Sequence, residues 1–353
     1  MTQTLEYQSN AIVELMGVRP AERDAEWLRN ALQQAIMVEV ATIGPYASGL
    51  WSIEQQQGLV YDAIRTVMFD EMSHMGLVCN MLTTIGGAPV IADASVVPKY
   101  EHPLPGGVRP ELIVFLEGLN KASVEMFSEI ERPEDPVAQL EDFTTIGAFY
   151  TAIEEAFETH SHLITGARQI DYPLAHHGDG NNIVPLDSIE KVRTAIKVIK
   201  EQGEGTSASP ENPFYGKKGE LAHFYVFREL FHGRKLIKVS ESPDVWDFTG
   251  DAIPLPPAHP MGRVPEGGWP KDPTNALALE IRETLDAFNT EFSSMLRALE
   301  RAWRADDPNE GKSEVDTAVG HMFKMGPLAR SLMVKPLPDG GGKTYGPEFL
   351  YVG

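Results

Sequence analysis

Two short motifs in this sequence each carry a glutamate and a histidine three residues apart. They are DEMSH at residues 70–74 and ELAH at residues 220–223. On an α-helix, three residues correspond to about 300° of rotation and roughly 4.5 Å of rise, so both side chains leave the same face. A carboxylate and an imidazole on an apolar face are costly to bury unless a metal ion compensates them. Two such pairs, each with one further glutamate, predict a di-iron or di-manganese carboxylate site.

The two further glutamates lie on apolar stripes of the helices that precede the motifs. Glu39 follows Ile36 by three residues, and Glu154 lies four residues after Tyr150 and three before Phe157. This spacing places each glutamate on the apolar face of its helix. Four carboxylates and two imidazoles would neutralise and hold two ions while leaving positions open for O₂. The predicted ligands are Glu39, Glu71, His74, Glu154, Glu220 and His223.

Glu154 has two alternatives, and three other side chains are predicted to surround the ligands. Glu155 is turned about 100° from Glu154, and Glu158 lies about one turn further along. Metal-bound histidines normally donate their free N–H to a carboxylate, and such a carboxylate can come from a neighbouring helix. The alternative for Asp70 is a solvated carboxylate, and the alternative for Tyr46 and Tyr150 is packing in the core. These surrounding residues are Asp70, Tyr46 and Tyr150.

Apolar periodicity predicts a chain made almost entirely of helices. Gly44-Pro45 is expected to kink the first helix rather than end it. We predict one domain over residues 1–353, with a bundle core at about 22–233, a proline-rich arm at about 234–273, and C-terminal helices and a tail at about 274–353. Within the arm, residues 235–239 and 245–248 are expected to pair as a hairpin. The predicted helices are 22–57, 59–86, 110–131, 137–168, 187–202, 219–233, 273–304 and 312–334.

Composition narrows the classes of partner. The 353 residues include 51 acidic and 30 basic side chains, a net charge of −21, which argues against nucleic acid or an anionic membrane as the main partner. The single cysteine, Cys79, cannot form an internal disulfide. The first ten residues lack the basic and apolar regions of a signal peptide, and no apolar stretch is a good membrane span. We therefore expect a cytoplasmic protein.

Several longer stretches resemble one known family. LQQAIMVEVATIGPY, FDEMSHMGLVCNMLTTIGGAP, IGAFYTAIEEAF and KGELAHFYVFRELFHGR, with WDFTGDAIPLPP and GPEFLYVG further on, are together similar to the ferritin-like domain of iminophenyl-pyruvate dimer synthases. Those enzymes belong to bacterial bisindole pathways, and the similarity covers about residues 22–350. The resemblance implies a ferritin-like four-helix core and a metal-ligand pattern on the six residues named above. Gly219 departs from the D-E-x-x-H form in the second motif.

The resemblance also implies a class of activity, though not a particular substrate. The known synthases are much longer than this chain, so the resemblance carries the fold rather than the substrate. We expect an all-α, ferritin-like four-helix bundle with additional helices. It should hold two metal ions, for which iron is the first candidate and manganese the second. It should act with O₂ on a small organic molecule. Oxidative coupling of amino-acid-derived imines is the implied reaction. The alternative is a non-enzymatic iron-binding or structural bundle, and either is compatible with a homodimer.

Overall fold

The computed structural model describes residues 6–133, 145–174, 182–203, 209–211, 220–270, 276–338 and 341–353. These residues form an all-α fold, as predicted, with one antiparallel hairpin of strands β1 (Ile237–Glu241) and β2 (Asp244–Asp247). The α-helices are α1 (Ala11–Met16), α2 (Ala25–Ser52), α3 (Leu59–Thr84), α4 (Lys121–Ile130), α5 (Ile146–Thr159), α6 (Ile189–Gly203), α7 (His223–His232), α8 (Ala276–Arg304) and α9 (Pro308–Met333).

Four of these helices enclose a common interior. α2 packs on α3, α3 on α7, α7 on α4, and α4 on α2, so the contacts close into a ring. Helices α5 and α6 pack on each other and cover this ring, α5 against α2 and α6 against α3 and α7. The long hairpin of α8 and α9 lies on another side, where α9 meets α2 and α8 meets α3. The fold is therefore a four-helix bundle with two added helical layers.

The apolar side chains of these layers form one interior. A continuous cluster of buried residues extends from Tyr7 near the beginning of the chain to Phe349 near its end. Across the described helices, we find no segment that combines the length and the apolar character of a membrane span.

Helix α2 continues through Gly44-Pro45, as expected. Proline has no N–H, so the carbonyl of Ala41 loses its partner within the helix. The hydroxyl of Tyr100 donates to that carbonyl at 3.2 Å. A Cβ at position 44 would lie 2.3 Å from the Tyr100 hydroxyl oxygen, so only glycine leaves room for this contact. The Gly-Pro pair and Tyr100 thus act together to keep α2 continuous.

Two predicted helices begin later than the periodicity suggested. The helix predicted at 110–131 begins at Lys121, where Asn120 forms a capping box, and the chain before it is extended with Val114 paired to His102. The helix predicted at 219–233 begins at His223, because Ala222 has extended backbone angles. Its end at Gly233, in the left-handed conformation, is as expected.

The other predicted bounds hold within a few residues, with three exceptions. The helix predicted at 22–57 ends earlier, at Ser52. The helix predicted at 137–168 is observed from Ile146 to Thr159, and residues 137–144 lie outside the described residues. The helix predicted at 312–334 begins earlier, at Pro308, where the Asp307 side chain accepts the N–H of Asn309. The predicted hairpin in the arm is confirmed.

The contact between Tyr100 and α2 predicts a specific loss of stability. Tyr100→Phe removes the donor and leaves the buried Ala41 carbonyl unsatisfied, which should lower the free energy of unfolding by about 1–3 kcal/mol. Chemical denaturation measures this loss. Tyr61→Phe is the control, since Tyr61 is only half-buried, and it should change stability little. Equal losses in the two variants would contradict this role for Tyr100.

Candidate metal centre

Five ionisable side chains meet inside the four-helix ring. Glu39 comes from the middle of α2, Glu71 and His74 from successive turns of α3, Glu131 from the residue that ends α4, and His223 from the first residue of α7. Each is at most 9 % exposed. Charged side chains are almost never buried to this degree without partners. This concentration of buried carboxylates and imidazoles marks the candidate functional centre of the bundle.

The five side chains form two groups that share one carboxylate. Glu39, Glu71 and His74 make the first group, and Glu71, Glu131 and His223 make the second. Within each group the candidate ligand atoms lie within 4.8 Å of one another. The two imidazole rings face each other at 5.8 Å between centroids, with an angle of 25° between their planes. The geometry is that of two adjacent ligand groups that could each hold a cation, with Glu71 common to both.

Two atoms of the second group have no hydrogen-bond partner although they are buried. They are Oε1 of Glu71 and Nδ1 of His223, which lie 2.9 Å apart without hydrogen-bond geometry. Two ligand atoms at about 2.1 Å from one ion are separated by roughly 3 Å. Orphaned polar atoms in a protein interior are costly. Their position and spacing therefore fit a metal ion held between them.

The outer nitrogens of both histidines are already occupied. Nε2 of His74 lies 2.8 Å from Oε1 of Gln202 on α6, and Nε2 of His223 lies 3.2 Å from Oδ2 of Asp70 on α3. With the proton on Nε2, each Nδ1 keeps its lone pair and faces the carboxylates. Metal-binding histidines are oriented by such outer hydrogen bonds. The two partners differ, because an amide supports His74 and a carboxylate supports His223.

The carboxylates are held by hydroxyl groups. The Tyr46 hydroxyl donates to Oε1 of Glu131 at 2.5 Å, and the Tyr150 hydroxyl donates to Oε1 of Glu39. Burial, and then the adjacent carboxylates, raise the pKa of both phenols well above the ordinary value, so they stay protonated donors. Each tyrosine thus fixes one oxygen of a candidate ligand and leaves the other for a metal.

Burial and the charges of neighbouring side chains together shift the pKa of each ionisable group in this interior. Burial and the nearby Glu71 carboxylate raise the pKa of both Glu39 and Glu131. Burial acts against the charged form of His74, but Glu71 and Glu39 raise its pKa to about 9. Burial likewise disfavours charge on His223, but Asp70 and Glu131 raise its pKa well above the ordinary value. Without a metal, protons supply the positive charge, so metal binding must displace them.

Burial alone would raise the pKa of Glu71, but it has the opposite overall shift. The two neighbouring histidines lower its pKa below the usual range, so Glu71 is a carboxylate. The shared position therefore carries a permanent negative charge, as a ligand common to two cations requires.

The structure does not bring the predicted ligand on α5 into either group. Glu154 is half-buried and belongs to neither group among the residues that the structure describes. The side chain that α5 directs towards the centre is Tyr150, one turn earlier. Neither alternative joins a group among the described residues. The exposed side chain of Glu155 pairs with Arg23, and the exposed side chain of Glu158 pairs with Arg193.

The predicted ligand Glu220 likewise lies outside both groups of described residues. Glu220 is half-buried, precedes α7, and is in neither described group. The helical spacing that would align it with His223 does not apply, because Ala222 between them is extended. His223 reaches the centre from the first position of α7.

Glu131 and Gln202 are the residues of the candidate centre that the sequence prediction missed. Glu131 continues a stripe at Val124 and Phe127, both fully buried, by a step of four residues. This stripe was a usable signal for an inward glutamate. Gln202 lies at the end of α6, and a lone glutamine gives no signal of the histidine that it supports.

The fold and the centre define a class of helical bundle that buries a carboxylate–imidazole cluster among four helices. The family model described as Ferritin-like matches residues 32–232, so the chain belongs to the ferritin-like family. A crystal structure of a ferritin-like protein from Caulobacter vibrioides is similar, with a TM-score of 0.55 and 20 % identity, over 85 % of this chain and 95 % of that one. No curated protein matches the chain.

The different positions of Glu131 and Glu154 give a matched pair of variants. Glu131→Gln should lower the metal bound after anaerobic iron loading from about two ions per chain to about one, because only the second group uses Glu131. Glu154→Gln, the control, should leave the metal content unchanged. Elemental analysis after desalting measures both, and circular dichroism checks the fold. Loss of metal in the Glu154 variant alone would refute this assignment.

Proposed function

We propose that this protein is a di-metal carboxylate oxidoreductase that uses O₂ to oxidise a small organic molecule. The supporting observation is the pair of buried ligand groups that share Glu71, with orphaned atoms on Glu71 and His223. Glu39 and His74 would complete one ion's protein ligands, and Glu131 and His223 the other's. Iron is the first candidate and manganese the second, since imidazole and carboxylate ligands suit both.

The negative charge of the carboxylates around the candidate centre supports the binding of two divalent ions. The ligand carboxylates Glu39, Glu71 and Glu131 supply three negative charges, and Asp70 behind His223 supplies a fourth. Two divalent cations balance these four charges. When bound, such ions would supply O₂ binding and electron transfer. The chain's own residues orient the ligands through Tyr46 and Tyr150 and exclude bulk water.

The volume of the cavity beside the candidate ligands limits the size of a substrate that could reach them. The cavity at the centre has about 40 Å³, which is room for about one water molecule. An organic substrate therefore needs this cavity to widen, or it must act from the edge. Lys200 lies on that edge and offers an ammonium group to a carboxylate. Together with the resemblance to iminophenyl-pyruvate dimer synthases, this supports amino-acid-derived imines as the substrate class to test first.

Iron binding without catalysis is the alternative from a different class. The same ligands would bind and oxidise iron without an organic substrate. The small volume of the cavity favours this alternative, whereas Lys200 at the edge favours an organic acid.

Oxygen uptake distinguishes the two functions. Protein loaded anaerobically with ferrous iron is mixed with air-saturated buffer, ammonium, and phenylpyruvate or indole-3-pyruvate, which form imines in equilibrium. For an oxidoreductase, O₂ uptake should exceed the bound iron several-fold and require both components. Glu71→Gln should abolish it, and Glu154→Gln should not. Uptake that stops once the bound iron is oxidised, with every mixture, would contradict the proposal and favour iron binding.

A further inference from the structure

A second and much larger cavity lies away from the metal centre. It has about 600 Å³ and lies between the α2–α3 pair and the α8–α9 hairpin, with residues of all four helices in its lining. Sites for small organic ligands commonly have about 300–1,000 Å³, whereas voids in a packed interior are rarely larger than a water molecule. Phe323 lines this cavity and is 64 % exposed as a residue, so the cavity reaches the surface there. Its size is that of a ligand site.

The cavity and the metal centre use different faces of the same two helices. On α2, Glu39 faces the metal centre and Val40 faces the cavity. On α3, Glu71 faces the centre and Met72 the cavity. Consecutive residues of a helix point about 100° apart, so α2 and α3 form the wall between the two spaces. A ligand in the large cavity would not touch the candidate metal ligands.

The wall of the cavity suits an aromatic body. Five of the chain's 13 methionines line it, and methionine sulfur contacts aromatic rings favourably while its flexible chain adapts to their shape. Aromatic side chains line it too, and Trp51 and Phe349 stack in parallel at 6.0 Å. The methionines are Met68, Met72, Met295, Met322 and Met325.

The charged groups of the cavity have one sign. Among the described residues that line it, the charged side chains are Arg65 and Arg330, and none is a carboxylate. The chain as a whole has a net charge of −21, so the charge that lines this cavity is opposite in sign to the net charge of the chain. Arg330 is fixed by the backbone carbonyls of Trp51, Ile53 and Glu54. Arg65 lies over the ring of Phe69 at 4.7 Å. Positive charge beside an apolar wall favours an anion with an apolar body.

We propose that this cavity is a second binding site, for an aromatic carboxylate whose ring lies among the methionines and whose carboxylate lies beside Arg65. The site is independent of the metal centre, and its ligand binds equally to metal-free and metal-loaded protein.

Two probes of the same shape and different charge test this site. Isothermal calorimetry on the full chain compares 2-naphthoate with neutral 2-naphthalenemethanol. The carboxylate should bind about tenfold more tightly, because a charge-assisted contact adds to the shared apolar contacts. Arg65→Met should remove most of this preference and keep the neutral probe's affinity. Arg282→Met, which removes an exposed arginine on α8, is the control for net charge and should keep the preference.

A cavity-filling variant tests the location. Val319→Trp, on α9 and away from the helices that carry the ligands, should weaken both probes about tenfold or more while metal content stays unchanged. Equal affinity of the two probes, no binding of either, or binding that neither Arg65→Met nor Val319→Trp alters would overturn the proposal.

Discussion

The burial of one negative charge between two histidines is the constraint on which this bundle depends. Glu71 lies inside the four-helix ring with its Oε1 atom unpartnered. An uncompensated buried ion costs several kcal/mol, so the surroundings must supply positive charge. Protons on the histidines can do this, and so can two cations. Glu39 and Glu131 place further carboxylates on both sides of Glu71, so the cluster needs compensating positive charge, which either protons or metal ions could supply.

The layers outside the ring serve this cluster. Helix α6 supplies Gln202 behind one histidine, and α5 supplies Tyr150 behind one carboxylate. Helix α2 needs to run uninterrupted past its proline, and Tyr100 makes that possible by serving the freed carbonyl of Ala41. The other faces of α2 and α3 line the large apolar cavity. The bundle therefore holds polar and apolar spaces side by side, separated by one layer of helix.

The sequence predicts the all-α bundle and the first motif because helical periodicity acts within a single element. Glu39, Glu71 and His74 lie on long helices whose apolar faces are clear, and the structure brings them together. Periodicity gives the inward face but not the neighbour that this face meets, so the stripe on α5 predicts Glu154, and Glu131 on α4 is not predicted. The position of Glu220 depended on a helix that begins only at His223, and short-range backbone geometry at Ala222 decided that.

Anomalous diffraction from crystals of iron-loaded protein tests the central claim most directly. Data collected on both sides of the iron absorption edge locate each ion without assumptions about its ligands. We predict two peaks about 3.5–4 Å apart on the two sides of the Glu71 carboxylate, one near His74 and the other near His223. A single peak, or peaks whose nearest side chains do not include Glu71, would contradict this account.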